Sequence, residues 1–237
     1  MNNRVYKTSG TFDPVGLGLG IAIAVAAMFP IAFLYAYAIR YIPFIYLNFL
    51  ISFGAVFAVA YAYVWGEGLG KNRSRLASLA GMLFVGILTL YVFWVTFLFV
   101  LLRHDIGYGK LLFDPGLIKD LIKELVEVGW FTLKRARVKG TIYGIMLAIE
   151  AVTYIVIFVY VWWTALKERV FCEKCQKWVE RVTLPVLADA SFADAIVNEL
   201  RQGTDRWLDM LRPTVDIVWL KLELAECTQC RDFPFSP

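Results

Sequence analysis

Four long apolar runs decide most of what this chain can fold into. Each is at least as long as the roughly 20 residues of helix that cross the ~30 Å hydrocarbon core of a bilayer. Only a helix or a closed barrel satisfies its own backbone hydrogen bonds in lipid, so runs of this length predict transmembrane helices. The predicted spans are residues 15–39, 43–65, 76–102 and 141–166. The sequence therefore predicts a mainly α, polytopic protein that is integral to a membrane and solvated by a lipid bilayer.

The composition agrees with this prediction and argues against a nucleic-acid-binding protein. Hydrophobic residues make up 59% of the 237 residues, and the mean hydropathy is +0.62, more than a water-soluble core of this length requires. The net charge is only +4, and the charged residues gather between the apolar runs, as they do at membrane flanks. The polar N-terminus, residues 1–14, leads into a run without a small-residue cleavage site, so we expect a retained first span.

The segment between the third and fourth spans is too charged to cross a membrane. Its apolar residues recur at helical spacing with Lys, Asp and Glu opposite, which predicts an amphipathic helix over residues 115–133. Asp114 as N-cap and Pro115 at the first helical position mark its start. We expect an interfacial helix that lies in the headgroup region, although a helix packed on other protein would have the same sequence pattern.

Cysteines occur only near the C-terminus, as two Cys-x-x-Cys pairs: Cys172 with Cys175, and Cys227 with Cys230. Two such pairs supply the four thiolates of a closed tetrahedral zinc site. The 51-residue interval between the pairs is longer than in an ordinary zinc ribbon, but a helical insertion would accommodate it. We therefore predict a small α+β zinc-knuckle domain with a four-cysteine site over residues 167–237. The two Cys-x-x-Cys turns resemble the knuckles of zinc ribbons. This is a local similarity that recurs in unrelated proteins, so it implies no particular activity.

Disulfides and redox chemistry are the alternatives to zinc. An extracellular domain would form disulfides, whereas redox chemistry would need a reactive thiolate, usually at a helix N-terminus. The spans contain no cysteine, and both pairs are predicted on strand-like turns. The basic residues that flank the four spans divide equally between the two sides, so they do not fix the orientation. A zinc site needs reduced cysteines, which are found in a reducing compartment. On that basis we predict that both termini are cytoplasmic.

Two of the predicted spans contain strongly polar residues. An ionised carboxylate in hydrocarbon costs about 3 kcal/mol or more, so Glu150 in the fourth span should face protein or water. Tyr143 and Tyr154 share its helical stripe and are plausible hydrogen-bond partners. The group is either a pore-lining cation or proton site, or a tyrosine-bonded carboxyl that joins helices. Asn48 in the second span is interpreted as another interhelical hydrogen bond.

Small residues indicate tight helix packing. Gly140, Gly144 and Ala148 follow one face of the fourth span, and Gly16 and Gly20 offer a second face in the first span. Such faces allow backbones to approach closely, within the bundle or between copies of the chain.

No catalytic residues are predicted. The sequence has no HExxH, no convincing nucleophile with a base, no paired carboxylates at catalytic spacing and no nucleotide-binding glycine loop, so an enzyme is the least favoured class. The favoured hypothesis is a non-catalytic membrane subunit or scaffold that anchors a zinc-stabilised protein-interaction domain. Its partners would be other membrane or cytoplasmic subunits, or itself as a homo-oligomer. The alternative is an oligomeric ion channel or transporter with Glu150 lining the path.

Overall fold

The chain divides into two units of different character. The computed structural model describes residues 9–42, 44–129, 132–133, 136–179, 181–202, 206–210, 219–225 and 227. One unit, the helical unit, comprises Pro14–Gly70 and Leu76–Thr164. The other, the cysteine unit, takes in the described parts of Met1–Asp13, Lys71–Arg75 and Ala165–Pro237.

Long helices dominate the described part of the chain. The helices are α1 (Pro14–Tyr41), α2 (Ile45–Gly68), α3 (Arg75–Leu101), α4 (Tyr108–Phe113), α5 (Pro115–Val128), α6 (Thr141–Glu168) and α7 (Ala193–Gln202). Four of them, α1, α2, α3 and α6, are long and apolar enough to cross a membrane. The prediction of four candidate membrane helices is therefore confirmed, with bounds that differ from the predicted ones by a few residues.

Small residues bring α1 and α2 close together. The buried face of α1 repeats every four residues, at Gly16, Gly20, Ala24, Met28 and Ala32. A Cβ added to Gly20 would lie 3.1 Å from the Tyr63 carbonyl oxygen, and one added to Gly66 would lie 2.9 Å from the Leu19 carbonyl oxygen. The two backbones can approach this closely because neither glycine carries a side chain.

The amphipathic helix α5 begins as predicted but ends five residues earlier. The Asp114 carboxylate accepts a hydrogen bond from the Leu117 amide at 3.0 Å and so caps the helix. Gly129 ends it with φ +75°, a conformation that favours glycine. Thr132–Leu133 (β1) then pairs with Ala136–Arg137 (β2) in an antiparallel hairpin. Trp130 and Phe131 of the predicted helix lie outside the described residues.

The apolar side of α5 is covered by protein. Four buried residues from α3, α4 and α5 form one apolar cluster: Val95, Leu98, Leu111 and Ile118. Leu121, Ile122 and Leu125 of α5 pack against it. The structure thus shows the packed arrangement that the sequence pattern allowed, and a position of α5 in the headgroup region remains a prediction.

The cysteine unit contains two small antiparallel sheets. Val170–Cys172 (β3) pairs with Lys177–Val179 (β4), and Arg181–Asp189 (β5) pairs with Trp219–Ala225 (β6). Between β5 and β6 the chain forms α7, with a 3₁₀ turn on each side at Ala190–Phe192 and Arg206–Met210. The long interval between the cysteine pairs is thus occupied by a strand pair with a helical insertion.

Candidate functional site

A tight hairpin places the first two cysteines next to each other. Cys172 is the last residue of β3, and Cys175 lies in the turn that leads to β4. Gln176 closes this turn with φ +53°, and its side-chain amide donates to the Glu173 carbonyl oxygen at 2.8 Å. Phe171 and Trp178 are register partners across the hairpin. Both thiols therefore project from one turn of a hydrogen-bonded hairpin.

The β5–β6 pair returns the third cysteine to this turn. Arg181, the first residue of β5, follows β4 closely in the chain and pairs with Ala225 near the end of β6. Cys227 follows two residues later and is 4% exposed. The Sγ atoms of Cys172, Cys175 and Cys227 all lie within 4.8 Å of one another. Cys230 lies outside the described residues.

This arrangement of thiols suits a metal ion. Zinc binds thiolates at about 2.3 Å, which places the sulfurs of a tetrahedral site about 3.8 Å apart. Sulfurs within 4.8 Å of one another need only a small contraction to reach that geometry. A disulfide would bring the sulfurs together in pairs. A single metal ion instead requires several sulfurs to lie around one point, and the three Sγ atoms lie in this way. The three cysteines can therefore hold a metal, and soft thiolate ligands favour zinc among the common ions.

An arginine from the α2–α3 loop packs on the cysteine hairpin. Arg73 forms an ion pair with Glu173, which lies between Cys172 and Cys175 in the chain, and only 8% of the Arg73 side chain is exposed. Its guanidinium group also lies 4.4 Å from the centre of the Phe171 ring. Ion pairing and the cation–π contact together fix this loop on the hairpin. Nothing in the sequence pattern indicated this contact, because it joins segments 100 residues apart.

The same loop is hydrogen-bonded to the segment that precedes α1. The Lys71 amide donates to the Asp13 carboxylate at 2.7 Å, and the Arg73 amide donates to the Thr11 carbonyl oxygen at 2.9 Å. The Asn72 side-chain oxygen accepts from the Asp13 amide at 3.3 Å. The loop is therefore an ordered part of the cysteine unit.

Inside the helical unit, Glu150 accepts hydrogen bonds from three helices. Its Oε1 atom accepts from the hydroxyls of Tyr35 at 3.1 Å, Ser52 at 3.2 Å and Tyr154 at 3.0 Å. The hydroxyl oxygens of Ser52 and Tyr154 are also only 2.7 Å apart. We call these four residues the Glu150 cluster. Because Tyr154 shares a helical stripe of α6 with Glu150, the sequence predicted this hydrogen bond. The contacts of Glu150 with Tyr35 and Ser52 were not predicted.

The other two predicted intramembrane polar residues are Tyr143 and Asn48. Tyr143, two turns before Glu150 on α6, is buried. The side-chain oxygen of Asn48 is buried and has no hydrogen-bond partner among the described residues. Asn48 lies four residues before Ser52, so the two share a face of α2. This spacing of two polar residues within an apolar run was the available signal that Ser52 belongs to a site.

A second polar cluster lies where α2 ends and α3 begins. Ser78 donates to the Glu67 carboxylate at 2.8 Å and accepts from the Trp162 indole at 3.1 Å. The Tyr63 hydroxyl donates to the Ser78 carbonyl oxygen at 2.9 Å. We call these four residues the Glu67 cluster. Glu67 is 3% exposed, and it lies on α2 because this helix continues to Gly68, three residues beyond the predicted span.

The small residues of α6 lie in more open surroundings than those of α1. Gly140 precedes the helix at φ +66°, and a Cβ there would meet nothing within 4 Å. A Cβ on Gly144 would lie 3.8 Å from the Val126 side chain, and Ala148 is exposed. Contact of this face with another copy of the chain remains a prediction.

No protein-family model, curated protein or solved structure matches the chain. Its function therefore has to follow from the chemistry of the residues described above.

Proposed function

We propose that the protein is a non-catalytic membrane subunit or scaffold whose four-helix bundle anchors a zinc-stabilised protein-interaction domain. The observation that carries this proposal is the convergence of three Sγ atoms within 4.8 Å of one another. The membrane part of the proposal is supported by four helices of sufficient length and apolarity to span a bilayer.

Zinc would be held by Cys172, Cys175 and Cys227, with Cys230 as the fourth ligand. Four thiolates close the coordination sphere and leave no open position for water or substrate, so such an ion is structural. A domain of about 70 residues has little apolar core and gains much of its folding free energy from such an ion. The ion would therefore give the domain a fixed surface that a partner can recognise.

Zinc thiolates favour a cytoplasmic position for the domain. Cysteines stay reduced in the cytoplasm, whereas in oxidising compartments they form disulfides. With four spans, both termini and the α2–α3 loop share one side of the membrane. The contact of Arg73 in that loop with Glu173 in the hairpin supports this arrangement.

The helical insertion provides anchor points for a partner. Phe192 is 43% exposed and Leu208 is 51% exposed, and they lie in the two 3₁₀ turns that pack against α7. Aromatic side chains such as Phe192 are enriched at the cores of protein interfaces. We therefore expect other membrane or cytoplasmic subunits, or further copies of the chain, to bind there.

The metal is tested on full-length protein purified in detergent without added reductant. We expect about one zinc per chain by elemental analysis, and four thiols that react with a thiol reagent only after denaturation with a chelator. Cys227→Ser should lower the bound zinc, whereas Ser191→Ala, a substitution outside the cysteine set, should not. Absence of zinc together with absence of free thiols, which appear only after a reductant is added, would mean disulfides and would overturn both the zinc site and the cytoplasmic orientation.

Partner binding is tested by crosslinking in intact cells. Wild-type protein, Cys227→Ser and the double variant Phe192→Ser/Leu208→Ser should be compared at matched membrane levels. We expect specific crosslinked species that both variants lose. Crosslinks that are identical in all three proteins would refute a role for the zinc-stabilised domain in protein contacts.

A further inference from the structure

We propose that the Glu150 cluster, together with Asn48, binds one small monovalent cation such as Na⁺ inside the helical bundle. The proposal is independent of the zinc domain, since all five residues lie on α1, α2 and α6 of the helical unit.

The first argument is a count of hydrogens. The cluster contains four close oxygen–oxygen contacts, between 2.7 and 3.2 Å, but its three hydroxyls supply only three hydrogens. The hydroxyls of Ser52 and Tyr154, 2.7 Å apart, share one of these hydrogens, so the three hydroxyls cannot all donate to Glu150 at once, and its negative charge is not matched by a third donor. One further positive charge, on a cation or a proton, would balance the cluster.

The second argument distinguishes a cation from a proton. The Asn48 side-chain oxygen is buried and has no partner among the described residues, although it lies one helical turn from Ser52 on the same face of α2. A proton on the Glu150 carboxyl would supply the one missing hydrogen, and the contacts within the cluster would use it. The Asn48 oxygen would still lack a partner. A cation can be coordinated by several oxygens at once and can include this one.

The third argument is charge. The apolar runs contain no Lys, Arg or His over residues 14–39, 45–66, 76–101 and 141–166. The Glu150 carboxylate therefore has no basic side chain within the spans to pair with, and its close polar neighbours are tyrosine and serine hydroxyls. One monovalent cation would neutralise it, whereas a divalent ion would leave a net charge in an apolar environment.

The position of the cluster permits entry from one side. At 1.5 Å per residue, Glu150 lies about 14 Å from the start of α6, and Ser52 lies about 10 Å from the start of α2. In a chain of four successive spans, both of these helix starts face the side of the α1–α2 connection. A cation that enters from that side would travel about 10 to 14 Å along these helices to reach the cluster.

Cation binding is measured on the full-length protein in detergent at constant ionic strength. Thermal unfolding is compared in sodium, potassium and N-methylglucamine chloride, and bound sodium is counted by equilibrium dialysis with radioactive Na⁺. At a sodium concentration about 100 times Kd, we expect Tm to rise by about 5 to 10 °C over N-methylglucamine. Dialysis should find about one sodium ion per chain.

Three variants separate a cation site from a structural network. Glu150→Gln should abolish the sodium-dependent rise in Tm, and Glu67→Gln, which alters the buried carboxylate of the Glu67 cluster, should retain it. Asn48→Ala should weaken sodium binding by about tenfold, taking one coordinating oxygen as worth about 1.4 kcal/mol. A merely structural role would leave the response to sodium unchanged in Asn48→Ala.

The proposal fails if Tm is equal in all three salts and dialysis finds no bound sodium, because the cluster is then satisfied by a proton alone. It also fails if Glu150→Gln keeps the sodium response. If Glu150→Gln does not fold, sodium counting on the wild-type and Asn48→Ala proteins decides between the two outcomes.

Discussion

Substitution of Gly81 by alanine tests the packing of the Glu67 cluster. A Cβ at this position of α3 would lie 2.5 Å from the Tyr63 hydroxyl oxygen and 2.7 Å from a terminal methyl carbon of Leu17. The leucine end can rotate away. Tyr63 cannot, because it is fully buried and its hydroxyl donates to the Ser78 carbonyl oxygen at 2.9 Å. The added methyl group must therefore displace the tyrosine and break this hydrogen bond.

The size of the effect follows from three opposing contributions. Alanine in place of glycine favours a helix by about 1 kcal/mol. Overpacking costs about 1–3 kcal/mol, and a buried hydrogen bond left unmade costs about another 1–3 kcal/mol. We therefore expect Gly81→Ala to lower the free energy of unfolding by about 3 kcal/mol.

The assay is equilibrium unfolding in mixed micelles, driven by sodium dodecyl sulfate and followed by far-UV circular dichroism. Gly54→Ala on α2 is the matched control, because a Cβ there would meet nothing within 4 Å, and it should be neutral or stabilising. Tyr63→Phe removes the clashing oxygen, so the double variant Gly81→Ala/Tyr63→Phe should lose less stability than the sum of the single variants. If Gly81→Ala is as stable as Gly54→Ala, the close approach of Tyr63 to α3 is refuted.

Three further substitutions test the cysteine unit and the segment around α5. Arg73→Ala removes the ion pair with the partly exposed Glu173 and the cation–π contact, so the cysteine unit should lose about 1 kcal/mol and exchange its hairpin amides faster in hydrogen-exchange measurements. Asp114→Ala removes the acceptor of the Leu117 amide and should destabilise the first turn of α5 by about 1 kcal/mol, again measured by hydrogen exchange. Gly129→Ala forces a side chain into φ +75° against a neighbouring carbonyl oxygen, and a thermal midpoint equal to that of wild type would contradict this strain.

Features that lie within a short stretch of the sequence could be predicted from it. The four apolar runs each exceed the length of a bilayer-spanning helix, and the Asp114 cap fixes where α5 starts. The end of α5 was predicted too late because periodicity alone does not reveal that Gly129 adopts a left-handed conformation. In the Glu150 cluster, Tyr154 could be predicted because it lies one turn away on the same helix. Tyr35 lies 115 residues from Glu150 in the chain, and only the packing of α1 on α6 brings the two together.

The return of Cys227 to the β3–β4 hairpin has a consequence for biosynthesis. The first Cys-x-x-Cys pair is translated directly after the fourth span, but the proposed metal site also needs Cys227, which is made more than 50 positions later. At about 5–20 residues per second, the ribosome takes about 3 to 10 s to cover that distance. During this interval the nascent chain would present two exposed thiols at the membrane surface. Metal loading would then be the last step of maturation, after membrane insertion, and the early pair would be the point at which an oxidant could trap the unfinished protein.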